Sequence, residues 1–207
     1  MVSGRGAFQR RAAQALIHGD LHTGSIMLTA HETRVIDAEF AFMGPIGFDV
    51  GAVIGNLLLA YCAQEGHEAA PHARDAYRAW ILDQVVAVWA GFHDRFLALW
   101  RQAREGEAYV KSLFTSPQDE AALEAERRRV LRSLFEDMLG FGGLKMIRRI
   151  LGLAHVEDLE SIADPARRAT CERKALRLAH TLVVEGVKFS GIVEVVEAAK
   201  RHALPLG

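Results

Sequence analysis

The chain has 207 residues, of which 50% are hydrophobic and 25% are charged, a composition typical of one globular domain or of a large piece of a longer protein. Its 25 Lys and Arg residues nearly balance its 26 Asp and Glu residues. The resulting formal net charge of -1 argues against an electrostatic nucleic-acid binder and a polybasic membrane module. The two cysteines, Cys62 and Cys171, lack a CxxC spacing, which favours free thiols in a reducing compartment such as the cytoplasm.

The N-terminal stretch carries Arg5, Arg10 and Arg11 and is weakly similar to a transit peptide. The most informative motif of the chain begins at His18, so a cleaved leader would have almost no room, and none is predicted. The longest apolar run, residues 51–63, is shorter than the roughly 18 residues that a membrane span requires. The sequence therefore predicts no transmembrane helix.

Short strands are predicted at the beginning of the chain. Residues 9–16 are expected to end a helix and lead into a short buried strand. Residues 26–29 and 33–36 are strand-like runs separated by a turn, which predicts a small hairpin. From Phe48 onward the pattern is helical, and the first helix, over residues 48–64, is apolar nearly all round, which predicts a central position.

Longer helices are predicted to follow. A second helix runs from near residue 73 past residue 100. Ser116 before Pro117, and Asp164 before Pro165, mark two further helix starts, because each pair offers a capping oxygen and a proline at the first helical position. The apolar stripes, with steps of three or four residues, are Ile81, Val85, Val88, Phe92, Phe96 and Leu99; Val130, Leu134 and Met138; and Cys171, Ala175, Leu178, Leu182, Gly186 and Phe189.

The third helix contains a cluster of glycines, Gly140, Gly142 and Gly143, which we expect to interrupt it. A final helix closes the chain. The run of arginines at residues 127–129 is interpreted as a solvated helix face, and the tryptophans at positions 80, 89 and 100 as core or interface residues. Taken together, these strand and helix signals predict one α+β domain over residues 1–207, mainly helical, with β-rich loops at residues 18–49 and helices over residues 50–207.

Polar residues follow the strand-like runs at two places. His18 and Asp20 come after one run, and Asp37 and Glu39 come after another, so one hairpin could bring the three carboxylates together. Such an all-oxygen site suits magnesium and phosphoryl transfer, in which the protein orients a hydroxyl and neutralises phosphate charge. The alternation of His18, Asp20 and His22 also suggests a zinc site, a weaker interpretation because the intervening glycines favour a loop.

Three segments carry a resemblance to a known family: HGDLHTGS at residues 18–25, DAEFAF at residues 37–42 and GPIGFDVG at residues 44–51. They resemble the catalytic half of the 5-methylthioribose kinases, which belong to the aminoglycoside-phosphotransferase and protein-kinase-like superfamily. Ser25 stands where the broader superfamily has Asn, and this replacement, with the acid-x-acid pair, points to the methylthioribose branch. The segments KMIRRILG at residues 145–152 and HVEDL at residues 155–159 extend the resemblance, and Ala38 departs from the expected Pro.

The resemblance implies roles for individual residues. Asp20 is implied as the catalytic base or orienter of the sugar 1-hydroxyl, with Asp37 and Glu39 as magnesium ligands and Ser25 as a weaker oxygen near the metal. It also implies that Arg148 and Arg149 lie beside the sugar. His18 and Asp49 are interpreted as structural supports, since His18 can brace the catalytic loop and Asp49 can accept hydrogen bonds from loop or helix N–H groups. The implied cofactors are Mg²⁺ and ATP.

The resemblance also implies an N-terminal lobe with a phosphate-covering loop and a lysine for the ATP phosphates. Only 19 residues precede Asp20, and Gly4 and Gly6 have no strand before them, so we expect a C-lobe alone. Such a chain should show little kinase activity by itself and should self-associate, and a homodimer is expected. The predicted partners are a sugar and ATP, without nucleic acid or membrane.

Two other functions stay open. One is phosphorylation of another small molecule, such as an aminoglycoside, choline or homoserine, although an aminoglycoside site should be lined with acids that pair with amines. The other is a non-catalytic binding or assembly module. Intact Asp20, Asp37 and Glu39 count against the second alternative, whereas the missing lobe supports it.

Overall fold

The computed structural model describes residues 13–103 and 109–204. The predicted helix end at residues 9–12 and the three N-terminal arginines lie outside the described residues. Four strands of three residues each form two separate two-stranded antiparallel sheets. The first of these strands pairs with the last, and the second pairs with the third. Their bounds are Ala15–Ile17 for β1, Ile26–Leu28 for β2, Thr33–Val35 for β3 and Phe42–Gly44 for β4.

The predicted hairpin is confirmed, one residue shorter in each strand, with Ile26 opposite Val35. Strand β4 is not predicted by the sequence, because its pairing with β1 joins residues that are far apart in the chain. In that pair Ala15 lies opposite Gly44. The two sheets thus bracket the loops that carry the predicted catalytic residues.

The rest of the described chain is helical, as predicted. The first helix begins after Pro45. The start signals at Ser116 and Asp164 are confirmed, because both side chains accept hydrogen bonds from the first-turn N–H groups of their helices. Ser116 and Asp119 form a reciprocal capping box. The bounds are Ile46–Ala63 for α1, Asp75–Gln102 for α2, Pro117–Leu151 for α3, Glu157–Glu160 for α4, Pro165–Glu185 for α5 and Ile192–Ala203 for α6.

The expectation that glycines interrupt the third helix is wrong, since α3 is continuous from Pro117 to Leu151. Glycines where α1 and α3 cross instead allow the two helices to approach. A Cβ on Gly51 of α1 would lie 2.5 Å from the carbonyl oxygen of Met138, and one on Gly55 would lie 2.7 Å from the carbonyl oxygen of Gly142. Both distances are shorter than real Cβ contacts, so α1 and α3 pack backbone against backbone at this crossing.

Helix α1 lies at the centre of the core, as its apolar composition predicts. Its Leu58 is fully buried, together with Val85 of α2, Met138 of α3 and Leu178 of α5. The stretch Ile46–His67 has the length and hydropathy of a membrane span, although 67% of its most apolar window is buried inside the fold. The core helix of a folded domain has the same composition, so this feature alone does not assign the stretch to a membrane.

The apolar stripes are buried to different extents. The stripe of α5 is buried throughout, whereas the stripe of α2 is buried at Ile81 and Val85 and exposed at Leu99. Trp89 is a core residue, as predicted, and packs on Phe135 with ring centroids 5.0 Å apart. Trp80 is half-exposed and stacks on a neighbouring tyrosine.

The interpretation of residues 127–129 as a solvated face is wrong for the first of them. The Arg127 side chain is 2% exposed and donates hydrogen bonds of 3.1 Å to Glu120 and to Glu124. Spacings of seven and three residues place both acids on the same face of α3 as the arginine, so the buried guanidinium is paired. Arg129 is exposed and pairs with Glu126, as expected of a surface arginine.

Candidate active site

The loop of residues 18–25 follows β1 and packs on the loop that contains Asp37 and Glu39. Gly19 has a φ of 85°, a conformation that favours glycine. A Cβ at this position would lie 2.2 Å from the carbonyl oxygen of Phe40. A side chain at position 19 would therefore force the two loops apart.

The first turn of α1 holds the beginning of this loop. Asp49 accepts hydrogen bonds from the backbone N–H groups of His18, at 2.6 Å, and Gly19, at 3.1 Å. Both N–H groups precede Asp20 directly, so the carboxylate fixes the path of the backbone into the candidate catalytic residue. This is the supporting geometry that the sequence leads us to expect of Asp49.

The His18 ring joins the two loops. Its Nδ1 accepts a hydrogen bond from the N–H of Asp20, at 3.4 Å, and its Nε2 lies 2.8 Å from the carbonyl oxygen of Ile36. An Nδ1 that accepts leaves the proton on Nε2, which then donates to the carbonyl oxygen. One ring thus connects the residue before Asp37 to the backbone of Asp20. A bracing role for His18 fits this geometry better than proton transfer.

The second half of the loop is held by helix α1 and by its own side chains. Asn56 Oδ1 accepts hydrogen bonds from the backbone N–H and the hydroxyl of Thr23. His22 Nδ1 accepts from the N–H of Gly24, at 3.0 Å. The buried Ser25 hydroxyl donates to the carbonyl oxygen of Asp20, at 3.4 Å, so in this structure Ser25 stabilises the loop around Asp20.

Asp20 faces two cations from α3. Lys145 Nζ lies 3.0 Å from Asp20 Oδ1, and Arg149 Nη2 lies 3.8 Å from the same oxygen. His22 Nε2 lies 4.0 Å from the other oxygen, Oδ2. Partial burial of Asp20 opposes ionisation, but the hydrogen bond and charge of Lys145, with the charges of Arg149 and His22, hold the pKa of the carboxyl below its ordinary value. Asp20 is therefore ionised at neutral pH.

Lys145 is the residue that the sequence reasoning missed. It lies within the segment of residues 145–152 that carries the family resemblance, but the sequence predicts no role for it. Lys145 and Arg149 are four positions apart and so share one face of α3, which is the signal that could have identified the lysine. Arg148, the adjacent arginine, is exposed, since neighbouring helical positions point about 100° apart. The structure thus brings one of the two predicted arginines to Asp20.

A small cleft adjoins Asp20, between the loop and helices α1 and α3. Residues from all three segments line it, including the charged Asp20, Lys145 and Arg149 and the polar Asn56. The lining residues are Asp20, Leu21, His22, Ala52, Gly55, Asn56, Leu59, Lys145 and Arg149. This narrow cleft, with a volume of about 10 Å³, brings one carboxylate and two cations together.

Asp37 and Glu39 lie in the exposed loop between β3 and β4. Asp37 has a φ of 67°, an uncommon conformation for a residue with a side chain. The expectation that Asp20, Asp37 and Glu39 form one three-carboxylate cluster is wrong, because no group of three or more His, Cys, Asp or Glu residues within 13–103 and 109–204 is arranged to hold a metal. Asp20 instead faces the cations of α3.

Comparison with known proteins adds an independent observation. Residues 6–93 match a family described as the phosphotransferase enzyme family. Over 186 residues the chain is 49% identical to "Methylthioribose kinase 1" of Oryza sativa subsp. japonica. The matched region covers 89% of this chain and 43% of the relative. Over 188 residues the chain is 44% identical to "Methylthioribose kinase" of Escherichia coli O45:K1, covering 91% of this chain and 44% of the relative. The chain thus spans less than half the length of these curated relatives.

Proposed function

We propose that this chain belongs to the phosphotransferase enzyme family, whose model matches residues 6–93. On that premise, the protein containing it transfers the γ-phosphoryl group of ATP to the 1-hydroxyl of 5-methylthioribose. The observation that carries the proposal is the ionised Asp20, held at the edge of a cleft beside Lys145 and Arg149. The names of the relatives supply the substrate.

The residues of this chain would handle the acceptor side of the reaction. Asp20 orients the sugar hydroxyl and takes its proton, while the sugar oxygen forms the new bond to phosphorus and the bond from phosphorus to the ADP oxygen breaks. Phosphoryl transfer depends mainly on positioning and on charge neutralisation. The loop contacts made by His18 and Asp49 suit the first requirement, and Arg149, the α3 cation farther from Asp20, suits the second.

Two carboxylates are available for a magnesium ion. Mg²⁺ is commonly bound by one or two carboxylates together with substrate phosphates and water, so Asp37 and Glu39, both exposed in one loop, fit that donor set without a third protein ligand. When bound with ATP, the ion would neutralise charge on the phosphates. Asp37 and Glu39 would hold it on the loop that the Gly19–Phe40 contact keeps beside Asp20.

We predict that Asp37→Ala, and separately Glu39→Ala, weakens binding of a magnesium–ATP analogue in a complete kinase that contains this sequence, because the hard cation loses a charged oxygen ligand. Calorimetric titration measures the affinity. Glu32→Ala is the matched control, since Glu32 is an exposed acid that pairs with Arg34 on the nearby hairpin. Unchanged affinity in both test variants would remove the two carboxylates from the metal shell.

Another small-molecule kinase is the main alternative. A substrate rich in amines would be repelled by Lys145 and Arg149 in the cleft, so the charges favour a neutral polyol over an aminoglycoside. A coupled ADP-release assay in a complete kinase decides between acceptors. We expect turnover with 5-methylthioribose to exceed turnover with homoserine, choline or kanamycin. A preference for any of the other three would overturn the substrate assignment and leave the phosphotransferase chemistry in place.

Three further features belong to the same proposal. A cytoplasmic location rests on the chemistry of a metabolic kinase and on the two buried free thiols. A homodimer rests on the apolar surface of the strands. A non-catalytic module stays an alternative, and it would predict that this chain binds its ligand equally well with Asp20→Asn and has no turnover for that substitution to lower.

A further inference from the structure

The contacts of Lys145 are those of a largely buried ion-pair partner of Asp20 and not those of a surface lysine. Its side chain is 12% exposed, and its ammonium lies 4.8 Å from the centre of the Phe48 ring, a favourable cation–π distance. Among the described residues, its hydrogen bond is to Asp20 Oδ1, at 3.0 Å. A largely desolvated ammonium needs a partner, and Asp20 provides the charge that compensates it.

The two oxygens of Asp20 have different surroundings. Oδ1 is engaged by Lys145, at 3.0 Å, with Arg149 at 3.8 Å from the same atom. Oδ2 has His22 Nε2 at 4.0 Å, beyond ordinary hydrogen-bond distance. The carboxylate is therefore held through one oxygen, and the other has the capacity to accept a hydrogen bond from an acceptor hydroxyl.

The position of Lys145 follows from the packing of α1 and α3. Phe48, beneath the ammonium, is one position from Asp49, which fixes the loop at His18 and Gly19. Helices α1 and α3 approach closely at their glycines, and this packing places Lys145 beside Phe48. The lysine is thus placed by the rigid helical part of the protein, whereas the carboxylate that it contacts lies on a loop.

We propose that Lys145 is the positioning residue of Asp20: it binds Oδ1 so that Oδ2 is directed to the acceptor hydroxyl. The inference rests on the proposed phosphotransferase function. A carboxylate paired with a lysine is a weak base, so Asp20 first orients the hydroxyl and takes its proton only as the phosphoryl group moves. Such a role suits a loose transition state, in which little proton transfer is required before the phosphoryl group moves.

The test uses a complete kinase containing this sequence, with the variants Lys145→Met and Lys145→Arg. Misplacement of a catalytic group by about 1 Å can reduce the rate about 10²-fold, so Lys145→Met should lower kcat about 100-fold. The KM for the sugar should stay within about threefold, because Lys145 acts through Asp20. Lys145→Arg should restore at least a tenth of the parent kcat, since it keeps the charge. Lys188→Met is the control, because Lys188 is 71% exposed and pairs with Glu185.

A double variant distinguishes positioning from an independent role. If Lys145 acts through Asp20, adding Lys145→Met to Asp20→Asn should lower kcat by less than about threefold. An increase in KM at unchanged kcat, an additive double variant, or a Lys145→Met enzyme within about threefold of the parent would each overturn the proposal. Lys145→Gln, which keeps a hydrogen-bond donor, replaces Lys145→Met if circular dichroism shows that the methionine variant does not fold.

A readout without turnover separates this inference from the proposed function. Ion pairing should protect the Lys145 ammonium from rapid exchange with water, so its ¹⁵N NMR signal is expected in the parent and should be lost in Asp20→Asn. If the parent phosphorylates an acceptor other than methylthioribose, the substrate proposal fails, and the kinetic series is repeated on that acceptor. If the ammonium signal is the same with and without Asp20, the inference about Lys145 fails whatever the substrate is.

Discussion

The loops of residues 13–45 and the helices of residues 46–204 are held together in different ways. The loop region has four strands of three residues each, and most of its large apolar side chains are exposed. The helical region buries a continuous core around Leu58, Met138 and Leu178. The candidate catalytic residue lies in the region with little core of its own. Its position is determined by side chains that the helices provide, namely Asp49, Asn56, Lys145 and Arg149.

This difference separates stability from chemistry. Replacements within the helical core should unfold the whole domain, because the domain has one shared core. Replacements in the loop should change activity with little effect on global stability, since the loop contributes few buried groups. Variants in the two regions can therefore test whether the loop that carries the site depends on the helices for its position while contributing little to stability.

The largest expected effect is on the loop side. In a complete kinase containing this sequence, Asp20→Asn should lower kcat by about 10² to 10⁴, the usual contribution of a positioned general base. Substrate binding and the denaturation midpoint should change little. A coupled ADP-release assay and thermal unfolding measure the two properties. A variant that turns over within threefold of the parent would show that Asp20 is not the catalytic group.

The second expected effect is on the helical side. Gly51→Ala should destabilise the domain by about 1–3 kcal/mol or more, the usual cost of overpacking, because the new methyl group would lie 2.5 Å from the carbonyl oxygen of Met138. Gly140→Ala is the matched control on α3. A Cβ there has nothing within 4 Å, so the better helix propensity of alanine should stabilise by about 0.5–1 kcal/mol.

Urea denaturation of the parent and the two glycine variants measures both values. Equal destabilisation by the two substitutions would show that the helix crossing is less close than the structure has it. A loss of stability confined to Gly51→Ala would confirm the close backbone packing of α1 on α3.

The sequence predicts the helical region better than the details of the site. Start signals such as Ser116 with Pro117 are local, and the stripe of α5 is periodic, so both are visible in the sequence. The uninterrupted α3, the burial of Arg127 and the pairing of β1 with β4 depend on which elements meet in three dimensions. Lys145 belongs to this second group. Its helix face is predictable from its spacing to Arg149, but its contact with Asp20, 125 positions away, is not.

A third effect concerns the exposed strands. Leu16 and Met43 lie opposite each other in the β1–β4 pair and are 72% and 58% exposed, and such a patch favours association. We expect the 207-residue chain to self-associate, and Leu16→Ser with Met43→Ser to weaken association by at least about tenfold, since burial of even one such side chain contributes roughly 1.5–3 kcal/mol. Sedimentation equilibrium measures this. Leu153→Ser, at a fully exposed position outside the strands, is the control and should have little effect.

The smallest expected effect joins the two regions through the ion pair of Asp20 and Lys145. Since this pair holds the pKa of Asp20 below its ordinary value, which is about 3.9 in unfolded chains, the folded state binds fewer protons than the unfolded state near that pH. The pair therefore stabilises the protein above pH about 4 and loses its contribution as the pH falls through the lowered pKa. Water screens the partly exposed Asp20, which keeps the contribution small.

Lys145→Met should consequently reduce stability more at pH 7 than at pH values below that of the lowered Asp20 pKa, and it should raise the pH at which the Asp20 carboxyl titrates. Urea denaturation at the two pH values and carboxyl ¹³C NMR measure these changes. Lys188→Met should behave alike at both pH values, because water surrounds its exposed ion pair. If Lys145→Met lowers stability equally at both pH values and leaves the Asp20 titration in place, the lysine acts only through its packing on Phe48. The helices would then support the loop by shape and not by charge.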